Sequence, residues 1–134
     1  MAGVSEMRRD NRCFVCGQDN PHGLRLTITN PEPGSAETEL VIPERFSGWE
    51  RITHGGLLAT LLDEAMAYAC LSSAGNAVTV EITVRYLMPV EVGQKVRVRG
   101  RVLAIKRRIV ETEGEILNSE GQVAARGQAR FLMM

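Results

Sequence analysis

A histidine-glycine pair and a carboxylate stand nine positions apart in the most apolar stretch of this chain. At one end is Thr53-His54-Gly55-Gly56, and at the other is Asp63, followed at once by Glu64. Two successive glycines at the start of a helix weaken it, and they open the backbone to close approach. The first N–H groups of a helix have no partner inside it and lie at the positive end of its dipole. An oxyanion suits such a place. The steric alternative is that the glycines let the loop and helix pass neighbouring strands. Asp63, on an apolar helix, can serve as base or nucleophile. The other possibility is a narrow wet stripe carrying both acids. Glu64 lies about 100° further round, on the side expected to face solvent. With Gly56, Phe46 and Trp49 it completes the set of nearby substrate-contact candidates.

Nine helical residues span about 13 Å, so one chain cannot hold His54 and Asp63 against the same reacting carbon. Two helices packed antiparallel about a twofold axis can, each protomer supplying one half of two equivalent sites. A homodimer is expected on this ground, with a dimer of dimers as a further possibility.

Other clusters carry less chemistry. Cys13-x-x-Cys16 with His22 nearby suggests zinc, but a structural site normally needs four protein ligands. The third cysteine, Cys70, falls at the far end of the buried helix. The pair is therefore read as packing of an N-terminal arm, and no metal or other cofactor is expected. Lys95, Arg97, Arg99, Arg101, Lys106, Arg107 and Arg108 form a run without an acid. A hairpin centred at Arg107 sets Arg101 opposite Glu113 and Arg99 opposite Glu115, which turns much of the run into a ladder of ion pairs. Lys106, Arg107 and Arg108 stay unpaired at the tip, either solvated or in contact with a phosphate-bearing ligand.

These groups need elements to hold them. Leu24, Leu26 and Ile28 alternate with Arg25, Thr27 and Thr29, the period of a half-buried strand, and Asn30-Pro31-Glu32-Pro33-Gly34 turns the chain. Thr38, Leu40 and Ile42 then predict a second strand in hairpin with the first. Phe46 and Trp49 lie in an irregular loop before a helix from Gly55 to about Ser73. That helix is apolar nearly all round and must be buried. Four strands follow, over 78–86, 96–102, 109–117 and 122–131, with a turn at Asn118-Ser119-Glu120-Gly121. One long helix cannot cover both faces of six strands, so the sheet must curve around it. The expectation is an α+β hotdog domain over 24–134 behind an arm at 1–23.

Length and charge agree. A chain of 134 residues is one small domain, with limited room for both a core and a deep pocket. Its 16 Lys plus Arg balance 16 Asp plus Glu, which removes the long-range attraction of a nucleic-acid or membrane-surface binder. No stretch is long and uncharged enough to cross a bilayer, and the polar residues 1–12 lack a secretory signal, so a cytoplasmic location is expected.

The segment from His54 through Asp63 to Tyr68 resembles the helix motif of hotdog acyl-CoA thioesterases of the phenylacetate-pathway type. Cys13-Phe14-Val15-Cys16-Gly17 with Asn20-Pro21 and Gly23-Leu24 resembles the N-terminal signature of one branch of that superfamily. The resemblance implies hydrolysis of an acyl-CoA thioester. Gly55 would polarise the carbonyl through its N–H, His54 would flank the departing thiol, and Asp63 of the other protomer would activate water or attack. Thr79 matches a position whose hydroxyl helps hold the water. Gly48 stands where some relatives carry Asn. Two other functions fit the fold less well: a non-catalytic acyl-CoA sensor, and a hydratase or dehydratase, whose His would lie further upstream than His54.

Overall fold

The computed structural model describes residues 9–134. Residues 1–8, which hold most of the polar N-terminal stretch expected to lack a secretory signal, lie outside the described residues. Strands β1 (Ser35–Val41), β2 (Ala77–Tyr86), β3 (Lys95–Lys106), β4 (Ile109–Leu117) and β5 (Val123–Met133) form one antiparallel sheet in the order β1-β3-β4-β5-β2. A single helix, α1 (Gly55–Ser73), lies across it and touches every strand. This is an α+β hotdog fold.

Helix α1 is held by burial. Leu58, Leu61, Leu62, Ala65 and Met66 are sealed against Val98, Val110, Ile116 and Phe131. The helix stops at Gly75, whose φ of +87° suits glycine, and the N–H groups of Ala74 and Gly75 both return to the Cys70 carbonyl. Its close approach to the sheet has a visible cause. Gly100, Gly114 and Gly127 are register partners on β3, β4 and β5, so three strands present a trough without side chains. A Cβ at Gly100 would lie 2.7 Å from the backbone carbonyl of Ala65, while Leu62 and Met66 fill the space over the other two.

The strand count corrects the sequence reading. The segment 24–29 does not form a sixth strand in the sheet. Arg25 takes a φ of +52°, and the N–H groups of Leu24 and Leu26 bond to the carbonyls of Phe14 and Val15. Only Thr29 bridges to Glu37 of β1. Leu26 is buried as the alternation requires, but period two reports a buried face and not the identity of the neighbouring backbone.

The β3–β4 hairpin turns at Arg107, with φ of +58°, in the expected register: Arg99 faces Glu115 and Arg101 faces Glu113. Both are ion pairs. The other flank of β3 carries a second ladder, because β1 lies there: Lys95 and Arg97 meet Glu39, and Arg97 and Arg99 meet Glu37.

Candidate active site

The start of α1 is shaped by what its glycines admit. His54 is the N-cap, and its Nδ1 accepts the Gly56 N–H at 2.8 Å. Nδ1 therefore carries no proton, and in the neutral ring Nε2 is the donor. A Cβ at Gly56 would sit 2.9 Å from that Nδ1, so a side chain there would displace the imidazole. Gly55 lies under the ring of Tyr86, whose hydroxyl donates to the Gly55 carbonyl at 2.7 Å. Among the described residues the Gly55 N–H has no protein acceptor. The steric use of the two glycines is thus visible in the packing, and the Gly55 N–H is left available. Gly48 has a steric reason too: a Cβ there would lie 3.2 Å from the Cα of His54.

Asp63 is half-buried and accepts a hydrogen bond at 2.7 Å from the Thr79 hydroxyl, near the start of β2. That contact fixes one carboxylate oxygen and leaves the other free to act. Glu64 departs from the solvent-facing expectation. It is half-buried against the N-terminal arm, with the Cys13 thiol 3.6 Å from its Oε2. Burial pushes the Glu64 carboxyl above its ordinary range, with the neighbouring Asp63 adding to the rise; hydrogen bonds from Cys13 and Cys16 act against it.

Within the chain the candidate residues fall into two groups. His54, Gly55, Gly56 and Tyr86 meet at the head of α1; Asp63 and Thr79 meet more than two turns along it. Phe46 packs on the core beside the head group, and its carbonyl receives the His54 N–H. Trp49 is 84% exposed and touches no part of the core. The tip of the β3–β4 hairpin is less open than expected. Lys106 pairs with Glu111 at 3.7 Å, and Arg108 donates to the Met133 carbonyl. Glu111 stands opposite Ala104, two residues before Lys106 on β3, and the ladder shifts register between Val102 and Ala104, which the simple hairpin count does not contain. A cleft of about 530 Å³ on the sheet face away from α1 is lined by Arg99, Arg101, Glu113, Glu115 and Arg126, and holds neither Asp63 nor His54.

Tyr86 was not among the residues singled out from sequence. It reads there as the last apolar position of an alternating strand, and only the packing of β2 beside α1 brings it to Gly55. No helix among the described residues is long and apolar enough to cross a membrane.

Comparison with known proteins fits this geometry. Acyl-coenzyme A thioesterase 13 of Homo sapiens is 26% identical over 107 residues, covering 78% of this chain and 76% of that protein. The PaaI protein of the E. coli phenylacetic acid degradation operon has a TM-score of 0.76 and 25% identity, over 81% of this chain and 83% of that one. A conserved protein of Pseudomonas aeruginosa superposes with a TM-score of 0.74 at 32% identity, covering 81% and 88% of the two chains. A Streptococcus mutans protein bound to acetyl CoA shares the fold, with a TM-score of 0.77 at 19% identity over 81% of this chain and 88% of that one. The model of the thioesterase superfamily matches residues 51–125, which include the head of α1, Asp63 and Thr79. The chain belongs to the thioesterase superfamily, on its PaaI-like branch.

Proposed function

We propose that this protein hydrolyses an acyl-CoA thioester to free acid and coenzyme A at a site completed by a second copy of the chain. Family membership and the acyl-coenzyme A thioesterase relatives support the reaction class. The observation that carries the residue assignment is the pairing of Asp63 with Thr79 on an otherwise apolar helix. In the proposed reaction Asp63 either takes a proton from water as the water attacks the carbonyl carbon, or attacks that carbon itself to form an anhydride that water hydrolyses after the thiolate has left. The Gly55 N–H holds the oxyanion. The carbon–sulfur bond then breaks, and His54, whose Nε2 is the free donor, stabilises the departing thiolate. Gly56 leaves the imidazole its room, and Phe46 and Trp49, in the loop before α1, are proposed to contact the acyl group.

The free edge of the sheet supports the dimer. β2 is the last strand in the order, and it exposes Val80 (56%), Ile82 (36%) and Tyr86 (51%). Unpaired apolar edges are a liability that proteins cover. Thr79 with Asp63 lies near one end of β2, and Tyr86 with Gly55 at the other. An antiparallel β2–β2 pairing about a twofold axis would exchange those ends, setting Asp63 of one protomer toward Gly55 of its partner. Arg107 and Arg108, which form no ion pair among the described residues, are the tip cations that remain for coenzyme A phosphates.

Thiol release from a panel of acyl-CoAs tests the assignment. Asp63→Asn and Asp63→Ala are each expected to lower kcat by at least 10²-fold while the protein stays folded. Wild-type turnover in either would reject Asp63 as the acting group. Charge reversal at Arg107 and Arg108 is expected to raise KM for acyl-CoA and leave that of a short acyl thioester unchanged.

A further inference from the structure

The acyl-transfer chemistry leaves one group of ligand-type side chains unused. Cys13, Cys16 and Glu64 bring their sulfur and carboxylate oxygen atoms within 4.8 Å of one another. They line a cleft of about 260 Å³ between the N-terminal arm, α1 and the start of β2. The sequence alone offered His22 as the third partner of the two cysteines, but His22 is exposed and is not part of this group. The fold supplies the third partner by turning Glu64 toward the arm.

The turn carrying the cysteines is built around the sulfur. The Val15 N–H points at Cys13 Sγ at 3.4 Å, and the Gly17 N–H closes the turn on the Cys13 carbonyl at 2.8 Å. A Cβ at Gly17 would come 2.4 Å from the Cys13 nitrogen, so only glycine permits this tight a return. A backbone donor held on the sulfur fixes the position of Cys13 Sγ within the cluster. The Cys13 Sγ to Glu64 Oε2 separation of 3.6 Å is already close to the ~3.5 Å expected between a sulfur at about 2.3 Å and an oxygen at about 2.0 Å from a tetrahedral ion. The remaining pairs, all within 4.8 Å, need a contraction of about 1 Å to reach tetrahedral edges of ~3.5–3.8 Å, the scale of a side-chain rotation.

The donor set selects the ion. Two thiolates exclude magnesium and calcium, which take oxygen ligands, and one carboxylate with two sulfurs suits a borderline-soft cation. The Arg9 guanidinium lines the same cleft, 2.9 Å from the Tyr68 hydroxyl, and offsets the negative charge of three anionic ligands around a divalent ion. We propose that Cys13, Cys16 and Glu64 form a zinc site that fastens the N-terminal arm to α1, with its fourth position open to the cleft. Binding at neutral pH releases the thiol protons to solvent as the metal–sulfur bonds form. Glu64 is one residue from Asp63 and about 100° further round the helix, facing the arm, so the site's existence does not depend on the proposed hydrolysis.

The test uses the full chain, reduced, stripped with a chelator, and titrated with zinc against a competing indicator and with cobalt(II) by absorption. One metal per chain is expected, with a thiolate-to-cobalt charge-transfer band and a thermal midpoint that rises when zinc is added. Glu64→Gln should weaken uptake by at least tenfold and keep the charge-transfer band, whereas the Cys13→Ser/Cys16→Ser double variant should lose it. Failure of the reduced wild-type chain to take up stoichiometric metal overturns the proposal, as does unchanged uptake in the folded double variant. Should the double variant fail to fold, the wild-type titration and the cobalt band decide between the same two outcomes.

Discussion

Thr79 reaches Asp63 through a single 2.7 Å hydrogen bond, and that contact selects which carboxylate oxygen stays free. Hydrogen bonds to charged groups contribute about 1.5–3 kcal/mol. If the bond orients the acting oxygen, its loss appears mainly in the transition state. Thr79→Ala is therefore expected to lower kcat by roughly 10–100-fold with little change in KM, and Thr79→Ser to restore most of it. Steady-state kinetics on one acyl-CoA separates this from a structural effect, because a loosened fold would not be rescued by the hydroxyl alone. His54 shows the same economy of contacts: one ring nitrogen is used to cap Gly56, which leaves the other as a directed donor.

The glycine trough makes α1 a rigid platform for these groups. Gly100, Gly114 and Gly127 stand in register, and the helix descends until its backbone meets β3. The contact at Gly100 is with backbone atoms, which cannot rotate aside. Gly100→Ala should therefore displace α1 and cost about 1–3 kcal/mol. A thermal melt is expected to show a midpoint lower by roughly 5 °C or more. Both halves of the site ride on α1, so activity should fall in the same variant. A melt unchanged from wild type would show that the helix does not depend on the trough.

Across the whole molecule, β2 is one of two edge strands, and its Val80 and Ile82 face solvent between the Asp63–Thr79 and Gly55–Tyr86 contacts. A charge placed there should act on assembly rather than on the core. Ile82→Lys is expected to shift the protein to monomer in sedimentation or light scattering and to remove acyl-CoA hydrolysis with it, while the monomer keeps a cooperative melt. A monomeric variant with full activity would overturn the shared site. The balanced total charge has a structural counterpart, since β3 carries its cations between glutamates of β1 on one side and β4 on the other.

Local pattern determined much of this protein. The apolar run bounded by His54 and Gly75 specified α1 to its first residue, because burial all round and a glycine stop are properties of the segment itself. The turn at Arg107 located the β3–β4 hairpin for the same reason, but the pairing of Arg101 with Glu113 also needed the register shift between Val102 and Ala104. Tertiary structure decided what met each face. Alternation marked Leu26 for burial, yet the arm, through Phe14 and Val15, became the backbone partner of its segment. A rotation of 100° separated Glu64 from Asp63 on paper, but only the folded arm put Cys13 beside it. Tyr86 over Gly55 and Glu37 beside Arg97 arise from strands distant in sequence becoming neighbours. Periodicity encodes which side of an element avoids water; the residue waiting on that side is set by the path of the rest of the chain.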